Sequence, residues 1–142
     1  MLSRVLNIVT VGLLAATAWS AVSPDGSCGI EGGGADNGYT CPEEIACCSQ
    51  NGYCGSTDEF CLTSMGCQGD FSNATAACTE PVDGTTISPD GTCGSEGAGV
   101  YGYKCPAEGE GTCCSIAGYC GNTEAHCATA NGCQATYGEC TD

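Results

Sequence analysis

The sequence predicts a small, disulfide-rich protein made of two similar units that have little hydrophobic core. Three observations support this prediction. The chain of 142 residues contains 16 cysteines, these fall into two sets of eight with matching spacing, and few large apolar residues lie between them. A unit of about fifty residues with so few apolar side chains cannot fold on hydrophobic burial alone, so cross-links must supply the stability. We expect short, irregular antiparallel strands and one short helical turn in each unit.

The repeat is clearest where one stretch, CCSQNGYCGSTDEFC at 47–61, returns as CCSIAGYCGNTEAHC at 113–127. The spacing of all the cysteines places unit 1 at residues 22–79 and unit 2 at residues 88–142. Residues 80–87 form the predicted linker. If this linker is flexible, the connection between the last cysteine of unit 1 and the first of unit 2 reaches about 20 Å.

Residues 1–20 predict a secretory signal peptide. Arg4 supplies the positive flank, Val5 to Ala16 form the apolar stretch, and small residues place a cleavage site within residues 18–21. A membrane anchor is disfavoured because Asn7 interrupts the apolar run, which is also too short to span a bilayer. An exported chain with an even number of cysteines predicts disulfides rather than free thiols. The mature protein is therefore expected to be extracellular, either free or associated with a cell wall.

The charge balance argues against several classes of partner. The chain has 17 acidic and 2 basic residues, a formal net charge of −15, and Lys104 is the one basic residue after the signal peptide. Such a surface repels phosphate backbones and anionic membranes, so neither nucleic-acid binding nor membrane insertion is expected. A metal site is disfavoured too, because the chain has no Cys-x-x-Cys pair and His126 is its single histidine. No cofactor is expected.

Each unit opens with the same predicted tight turn, Ser-Pro-Asp-Gly, at 23–26 and 88–91. Proline presets the backbone for the second turn position, and glycine tolerates a positive φ. The glycine-rich stretches at 32–34 and 97–99 are interpreted as flexible surface loops. Neither lies between a strand and a helix, as a phosphate-binding loop would.

The helical turn of unit 1 is predicted to begin with a capping box. Ser56 would be the N-cap, and Glu59 would bond back to it from the third position. In unit 2, Asn122 would be the cap, but Ala125 stands where the carboxylate should be. We therefore expect a looser helical turn in unit 2.

These motifs together resemble the hevein-type (type 1) chitin-binding domain, present twice. The resemblance is carried by Cys-Gly, Cys-Pro, Cys-Cys-Ser, Gly-Tyr-Cys-Gly and Gly-Cys-Gln in that order, and the opening turn is similar to fungal secreted forms. It implies a knottin-type fold. Cysteine count alone leaves about a hundred connectivities per unit, whereas the resemblance implies one: Cys28–Cys48, Cys41–Cys54, Cys47–Cys61 and Cys67–Cys78 in unit 1, and Cys93–Cys114, Cys105–Cys120, Cys113–Cys127 and Cys133–Cys140 in unit 2.

The resemblance also implies that each unit binds N-acetylglucosamine oligomers through a serine and, usually, three aromatic positions. A flat ring against the C–H face of a pyranose adds about 0.5–1.5 kcal/mol beyond burial, by analogy with aromatic pairs. The serine hydroxyl can bond the acetamide carbonyl, a contact that contributes about 1 kcal/mol. The matching positions are Ser49, Asn51, Tyr53 and Phe60 in unit 1, and Ser115, Ala117, Tyr119 and His126 in unit 2.

Both units depart from the family pattern, and the departures are smaller in unit 1. We therefore predict that unit 1 is the better sugar-binding site. Asn51 can hydrogen-bond but cannot stack fully, and Phe60 keeps a ring without the phenolic hydroxyl. In unit 2, Ala117 cannot stack and His126 is a poorer platform, so Tyr119 is the main ring that remains.

Tyrosines can also have a structural role. For Tyr53 and Tyr119, packing over a disulfide is the alternative to sugar binding. For Tyr39 and Tyr103, packing over a disulfide is the favoured interpretation. Asn73 begins an N-glycosylation sequon, Asn-Ala-Thr, in the tail of unit 1.

The function predicted from these residues is that of a secreted, non-catalytic lectin that binds chitin through two tandem sites. The alternative is a cysteine-rich effector or inhibitor that keeps the scaffold and binds a host or cell-wall protein. An enzyme is disfavoured because glycosidic cleavage needs two carboxyls facing each other across a cleft. The carboxylates at 43–44 and 58–59 are instead adjacent in sequence. A membrane-active toxin is disfavoured by the acidic charge.

Overall fold

The computed structural model describes residues 20–31 and 38–142. Among these residues, each unit contains one two-stranded antiparallel hairpin followed by one turn of α-helix. The elements of unit 1 are β1 (Cys47–Cys48), β2 (Cys54–Gly55) and α1 (Asp58–Cys61); those of unit 2 are β3 (Cys113–Cys114), β4 (Cys120–Gly121) and α2 (Glu124–Cys127). The predicted fold class, with its short strands and single helical turns, is therefore confirmed.

The hairpins have the same register in both units. Cys47 pairs with Gly55 and Cys48 with Cys54 in unit 1, and residues 113–114 and 120–121 repeat this pairing in unit 2. Short 3₁₀ turns that the sequence analysis did not predict surround the helices. They lie at Glu43–Ile45, Thr63–Met65, Gly69–Phe71 and Thr75–Ala77 in unit 1, and at Thr129–Asn131 in unit 2.

Disulfides form the centre of each unit. All sixteen cysteines are paired, with the connectivity that the family resemblance implies. In unit 1 the buried cluster consists of Cys28, Cys41 and Cys48, with Phe71 packed against it. Unit 2 has the same cluster of cystine sulfurs, with Tyr137 in the place of the phenylalanine. Cystine sulfur thus replaces the aliphatic core of a larger domain.

The opening turns form as predicted in both units. Gly26 and Gly91 have φ of 84° and 83°, the left-handed region that favours glycine. The hydroxyl of Ser23 accepts a hydrogen bond from the Gly26 N–H at 2.9 Å, and Ser88 does the same for Gly91. These turns direct the chain into the first cysteine of each unit.

The predicted helix caps are wrong. The N-cap of α1 is Thr57 rather than Ser56, and that of α2 is Thr123 rather than Asn122; neither caps with its side chain. The amide oxygen of Asn122 instead accepts hydrogen bonds from the N–H groups of residues 111 and 112, both at 2.9 Å. Both α1 and α2 span four residues, so the structure does not show the looser helical turn predicted for unit 2.

The glycine-rich stretch of unit 2 is packed rather than flexible. Gly99 is buried, and the Ala98 N–H donates to the carbonyl of Ala117 at 2.9 Å. A Cβ on Gly97 would lie 2.2 Å from that same carbonyl oxygen, so only glycine permits this approach. The corresponding stretch of unit 1 lies outside the described residues, as does the predicted signal peptide up to residue 19.

Several residues of the predicted linker, from residue 83 onward, are hydrogen-bonded to unit 2. The Gly84 N–H donates to the carbonyl of Gly102, and the Lys104 N–H donates to that of Thr86, both at 2.8 Å. The hydroxyl of Tyr137 donates to the carboxylate of Asp83 at 3.0 Å. The linker from residue 83 onward is therefore held against unit 2.

The two units also contact each other directly. The hydroxyl of Tyr103, a residue of unit 2 that is almost fully buried, is hydrogen-bonded to the hydroxyl of Ser64 in unit 1. This contact supports the structural interpretation of Tyr103. In the described part of the chain, no helix is long and apolar enough to cross a membrane.

Candidate functional site

The serine and tyrosine predicted to bind sugar lie at the two ends of one tight turn. In unit 1, Ser49 follows β1 and Tyr53 precedes β2. The turn closes because the Ser49 N–H donates to the Tyr53 carbonyl at 2.9 Å and the Gly52 N–H donates to the Ser49 carbonyl at 3.0 Å. Gly52 has φ of 80°. We call residues 49–53, and their equivalents 115–119, the serine turns.

The serine turn of unit 2 repeats this geometry. The Ser115 N–H donates to the Tyr119 carbonyl, and the Gly118 N–H donates to the Ser115 carbonyl, both at 3.0 Å. Each tyrosine also forms an antiparallel bridge with the residue before the first cysteine, namely Ser27 or Thr92. The backbone of both tyrosines is thus held on two sides.

Both tyrosine side chains are about half exposed to solvent. Tyr53 is 50% exposed and Tyr119 is 52% exposed. An exposed ring on a rigid backbone can stack on a sugar with little loss of conformational freedom. The exposure therefore argues against packing over a disulfide as the role of these two rings.

The serines beside them are almost buried, at 4% exposed for Ser49 and 6% for Ser115. The Ser49 hydroxyl oxygen accepts a long hydrogen bond from the Tyr53 N–H at 3.4 Å. The Ser115 hydroxyl is held more closely, because it accepts from the Tyr119 N–H at 3.2 Å and donates to the Tyr119 carbonyl at 3.1 Å. The Ser115 proton is therefore engaged within the protein.

The third predicted ring position lies on the helical turn, over a glycine of the hairpin. A Cβ on Gly55 would lie within 2.5 Å of three atoms of the Phe60 ring, and a Cβ on Gly121 would meet the His126 ring at 2.5–2.6 Å. The missing side chain lets each ring lie close against the backbone next to the serine turn. The His126 Nδ1 atom is also hydrogen-bonded to the Thr123 hydroxyl at 2.7 Å. The disulfides Cys47–Cys61 and Cys113–Cys127 join these helical turns to the strands.

The remaining predicted positions, Asn51 and Ala117, are exposed within the serine turns. The structure therefore places all eight predicted sugar-binding residues on or beside the two serine turns. Two further features were not recognised from the sequence. They are the glycines under the rings and the glutamine of each Gly-Cys-Gln motif, whose amide donates to the serine carbonyl at 2.7 Å in both units. The repetition of these residues was the signal that could have identified them.

The acidic pairs considered for catalysis lie on the surface of unit 1. The carboxylates at 43–44 and 58–59 lie in the first turns of their helices, and all four residues are exposed. The two clusters of three close sulfurs offer no thiolate to a metal, because every sulfur in them is bonded in a disulfide. Asn73 is exposed at the surface of unit 1, and its glycosylation stays a prediction.

Comparison with known proteins identifies the family of this chain. A family model described as chitin recognition protein matches residues 27–78. Pseudo-hevein of Hevea brasiliensis is 46% identical over 41 residues, which are 29% of this chain and 80% of pseudo-hevein. The chain belongs to the hevein-type chitin-binding family. Antimicrobial peptide 1 of Fagopyrum esculentum, another similar protein, is 54% identical over 41 residues, covering 29% of this chain and 85% of the peptide.

A hevein-type domain is a binding module, and larger proteins carry similar segments. The AA9 family lytic polysaccharide monooxygenase H of Botryotinia fuckeliana (strain B05.10) is 46% identical over 67 residues, which are 46% of this chain and 12% of the monooxygenase. The chain thus spans about an eighth of that relative's length. No solved structure matches the chain. The family match covers unit 1, and unit 2 repeats its disulfides, hairpin and helical turn.

Proposed function

We propose that the protein is a secreted, non-catalytic lectin that binds chitin or N-acetylglucosamine oligomers through both hevein-type units. The observation that carries this proposal is the serine turn, which places an exposed tyrosine beside a nearly buried serine on a disulfide frame, once in each unit. Sixteen cysteines, all paired, are consistent with an extracellular protein.

The proposed interaction uses ring faces rather than charge. A shallow, exposed surface suits a neutral, repetitive polymer, because each sugar can be held by a few ring and hydroxyl contacts. The carboxylate pairs at 43–44 and 58–59 are exposed and adjacent in sequence, whereas glycosidic cleavage needs two carboxyls facing each other across a cleft. Two such sites on one polymer chain raise the avidity by about 10²–10⁴ over a single site when the geometry allows both to bind.

Retention on insoluble chitin tests the proposal. We expect the wild-type chain to be retained and to be eluted by N-acetylglucosamine oligomers. The double variant Tyr53→Ala with Phe60→Ala should lose most of this retention, because unit 1 then lacks both rings of its proposed sugar site. The control is Tyr101→Phe, a change at an exposed tyrosine outside the serine turns, which should bind like the wild type.

Failure of the wild-type chain to bind chitin would contradict the lectin proposal. The alternative function, a secreted effector or inhibitor that binds a host or cell-wall protein, would then take its place. Retention that is insensitive to the double variant and to the oligomers would show binding by another surface.

A further inference from the structure

A glutamine outside the proposed sugar sites holds each serine turn by its backbone. In unit 1, the Gln68 side-chain amide donates to the Ser49 carbonyl at 2.7 Å, and the Gln68 backbone N–H donates to the Cys48 carbonyl, also at 2.7 Å. One residue thus binds two successive carbonyls. Gln134 makes the same pair of bonds in unit 2, at 2.7 Å to Ser115 and 2.8 Å to the preceding cysteine.

The other end of each amide is fixed to the loop after the first cysteine. The Gln68 Oε1 atom accepts from the Ile30 N–H at 3.2 Å, and the Gln134 Oε1 atom accepts from the Ser95 N–H at 3.1 Å. The Gln68 amide also donates to the Glu31 carbonyl at 3.4 Å. Each glutamine therefore connects two segments that lie far apart in sequence, the loop and the serine turn.

In each unit a glycine, which has no side chain, leaves room for the side-chain amide of the glutamine. A Cβ on Gly29 would lie 2.5 Å from the Gln68 Oε1 atom, and one on Gly94 would lie 2.3 Å from that of Gln134. The amide thus lies directly against the glycine backbone. Since its donor and acceptor are both occupied, its orientation is fixed at both ends.

The carbonyl that the glutamine binds is the one that closes the turn. The Ser49 carbonyl accepts from the Gly52 N–H as well as from Gln68, and the Ser115 carbonyl accepts from the Gly118 N–H as well as from Gln134. Fixing this oxygen fixes the distance between the serine and the exposed tyrosine four residues further along the chain. A ring and a hydroxyl that must meet one sugar depend on that distance.

We propose that Gln68 and Gln134 are positioning residues of the two sugar sites, each fixing its serine turn through the amide bond to the serine carbonyl. This inference rests on the proposed function. Each glutamine would raise the sugar affinity of its unit indirectly, by positioning Ser49 or Ser115. The disulfides keep the frame folded when the glutamine is changed, so affinity falls without loss of the fold.

The test uses the full chain and its two matched glutamines. Titration with N-acetylglucosamine oligomers is followed by the NMR signals of Tyr53 and Tyr119, and hydrogen exchange is measured at the Gly52 and Gly118 amides. Gln68→Leu should weaken binding by unit 1 about three- to tenfold and speed exchange at Gly52, leaving unit 2 unchanged. Gln134→Leu is the control and should give the reverse pattern.

A second variant separates positioning from general packing. In Gln68→Glu, the ionised carboxylate cannot donate to the Ser49 carbonyl, so unit 1 should bind weakly at neutral pH. As the pH falls through the ordinary glutamate value of about 4.3, the carboxylic acid regains a donor. Affinity should then recover relative to the wild type at the same pH, whereas Gln68→Leu should show no recovery.

Wild-type affinity in Gln68→Leu, or unchanged exchange at Gly52, would overturn the proposal. If Gln68→Leu fails to form its native disulfides, Gln68→Glu tests the proposal instead. Recovery of its sugar affinity at low pH would support the proposal, and absence of recovery would overturn it. If the wild-type chain binds no oligomer, the proposed function fails, while exchange at Gly52 still decides whether the glutamine holds the turn.

Discussion

The two units share one frame and differ in the side chains that the frame presents. Both have the same four disulfides, the same hairpin register and the same glutamine bond to the serine carbonyl. The presented side chains have diverged: Phe60 corresponds to His126, and Asn51 corresponds to Ala117. The cysteines and the glycines of the serine turns are repeated, because a close-packed cystine frame tolerates little change.

The serines show how far this divergence extends. In both units the hydroxyl oxygen accepts from the tyrosine N–H, but the Ser115 hydroxyl also donates to the Tyr119 carbonyl, a bond the described structure does not give Ser49. A ligand acetamide would have to displace that bond in unit 2. Since His126 also replaces the phenylalanine ring of Phe60, we expect unit 1 to be the stronger of the two proposed sites.

The largest effect is expected from removing a central disulfide. Replacing Cys28 and Cys48 by alanine opens a bridge with a sequence separation of 20 and should cost unit 1 about 3 kcal/mol or more, enough to unfold a unit without an aliphatic core. Amide NMR signals of unit 1 should collapse while those of unit 2 keep their dispersion. The matched control, alanine at Cys93 and Cys114, should unfold unit 2 instead. Collapse of both units together would show that they fold as one.

A smaller effect should follow from restoring a ring in unit 2. Ala117→Tyr places an aromatic face on an exposed position of the serine turn. Stacking should raise the affinity of unit 2 for N-acetylglucosamine oligomers about three- to tenfold, as measured by NMR titration of Tyr119. Ala135→Tyr, which adds a ring at an exposed position outside the serine turn, is the control. No gain at Ala117 would mean that the engaged Ser115 hydroxyl, rather than the lost ring, limits this unit.

The smallest effect concerns the contact between the units. Burial raises the pKa of the Tyr103 hydroxyl above its ordinary value of 10.0; the Ser64 hydrogen bond lowers it in part, and the charges of Asp90, Tyr101 and Asp58 raise it further. Because the folded state prefers the neutral phenol, Tyr103 contributes to the stability of the folded chain. This contribution is complete below about pH 10 and is lost as the pH rises through the raised pKa of Tyr103.

An absorbance titration of tyrosinate measures this directly. One tyrosine should titrate late in the wild-type chain, and Tyr103→Phe should remove that late step. Tyr101→Phe, which removes the hydroxyl of the neighbouring ring 5.6 Å away, should retain it. A titration in which Tyr103→Phe leaves the late step in place would show that the hydroxyl is not buried between the units.

The sequence was sufficient to predict the fold class and the disulfide pairing, whereas the sugar-binding residues stay a prediction. The cysteine spacing, repeated twice, predicts two disulfide-stabilised units, and the Gly-Tyr-Cys-Gly core marks the hairpin. These signals work because a cystine lattice restricts the backbone more strongly than local propensity does. The local rules failed at the helix caps: Ser56 and Asn122 are good N-caps, but both N-caps lie one residue later. In unit 2 the Asn122 side chain is instead bonded to the N–H groups of residues 111 and 112.

Only the tertiary structure decided which residues hold the serine turns and whether the loops and linker move freely. Gln68 and Ser49 are 19 residues apart, and the loop that completes their contact lies 38 residues from the glutamine. The packing of residues 97–99 on Ala117 likewise joins segments that no local pattern connects. Composition marks such segments as loops, but the hydrogen bonds that fix them come from distant parts of the chain, which the disulfides bring together.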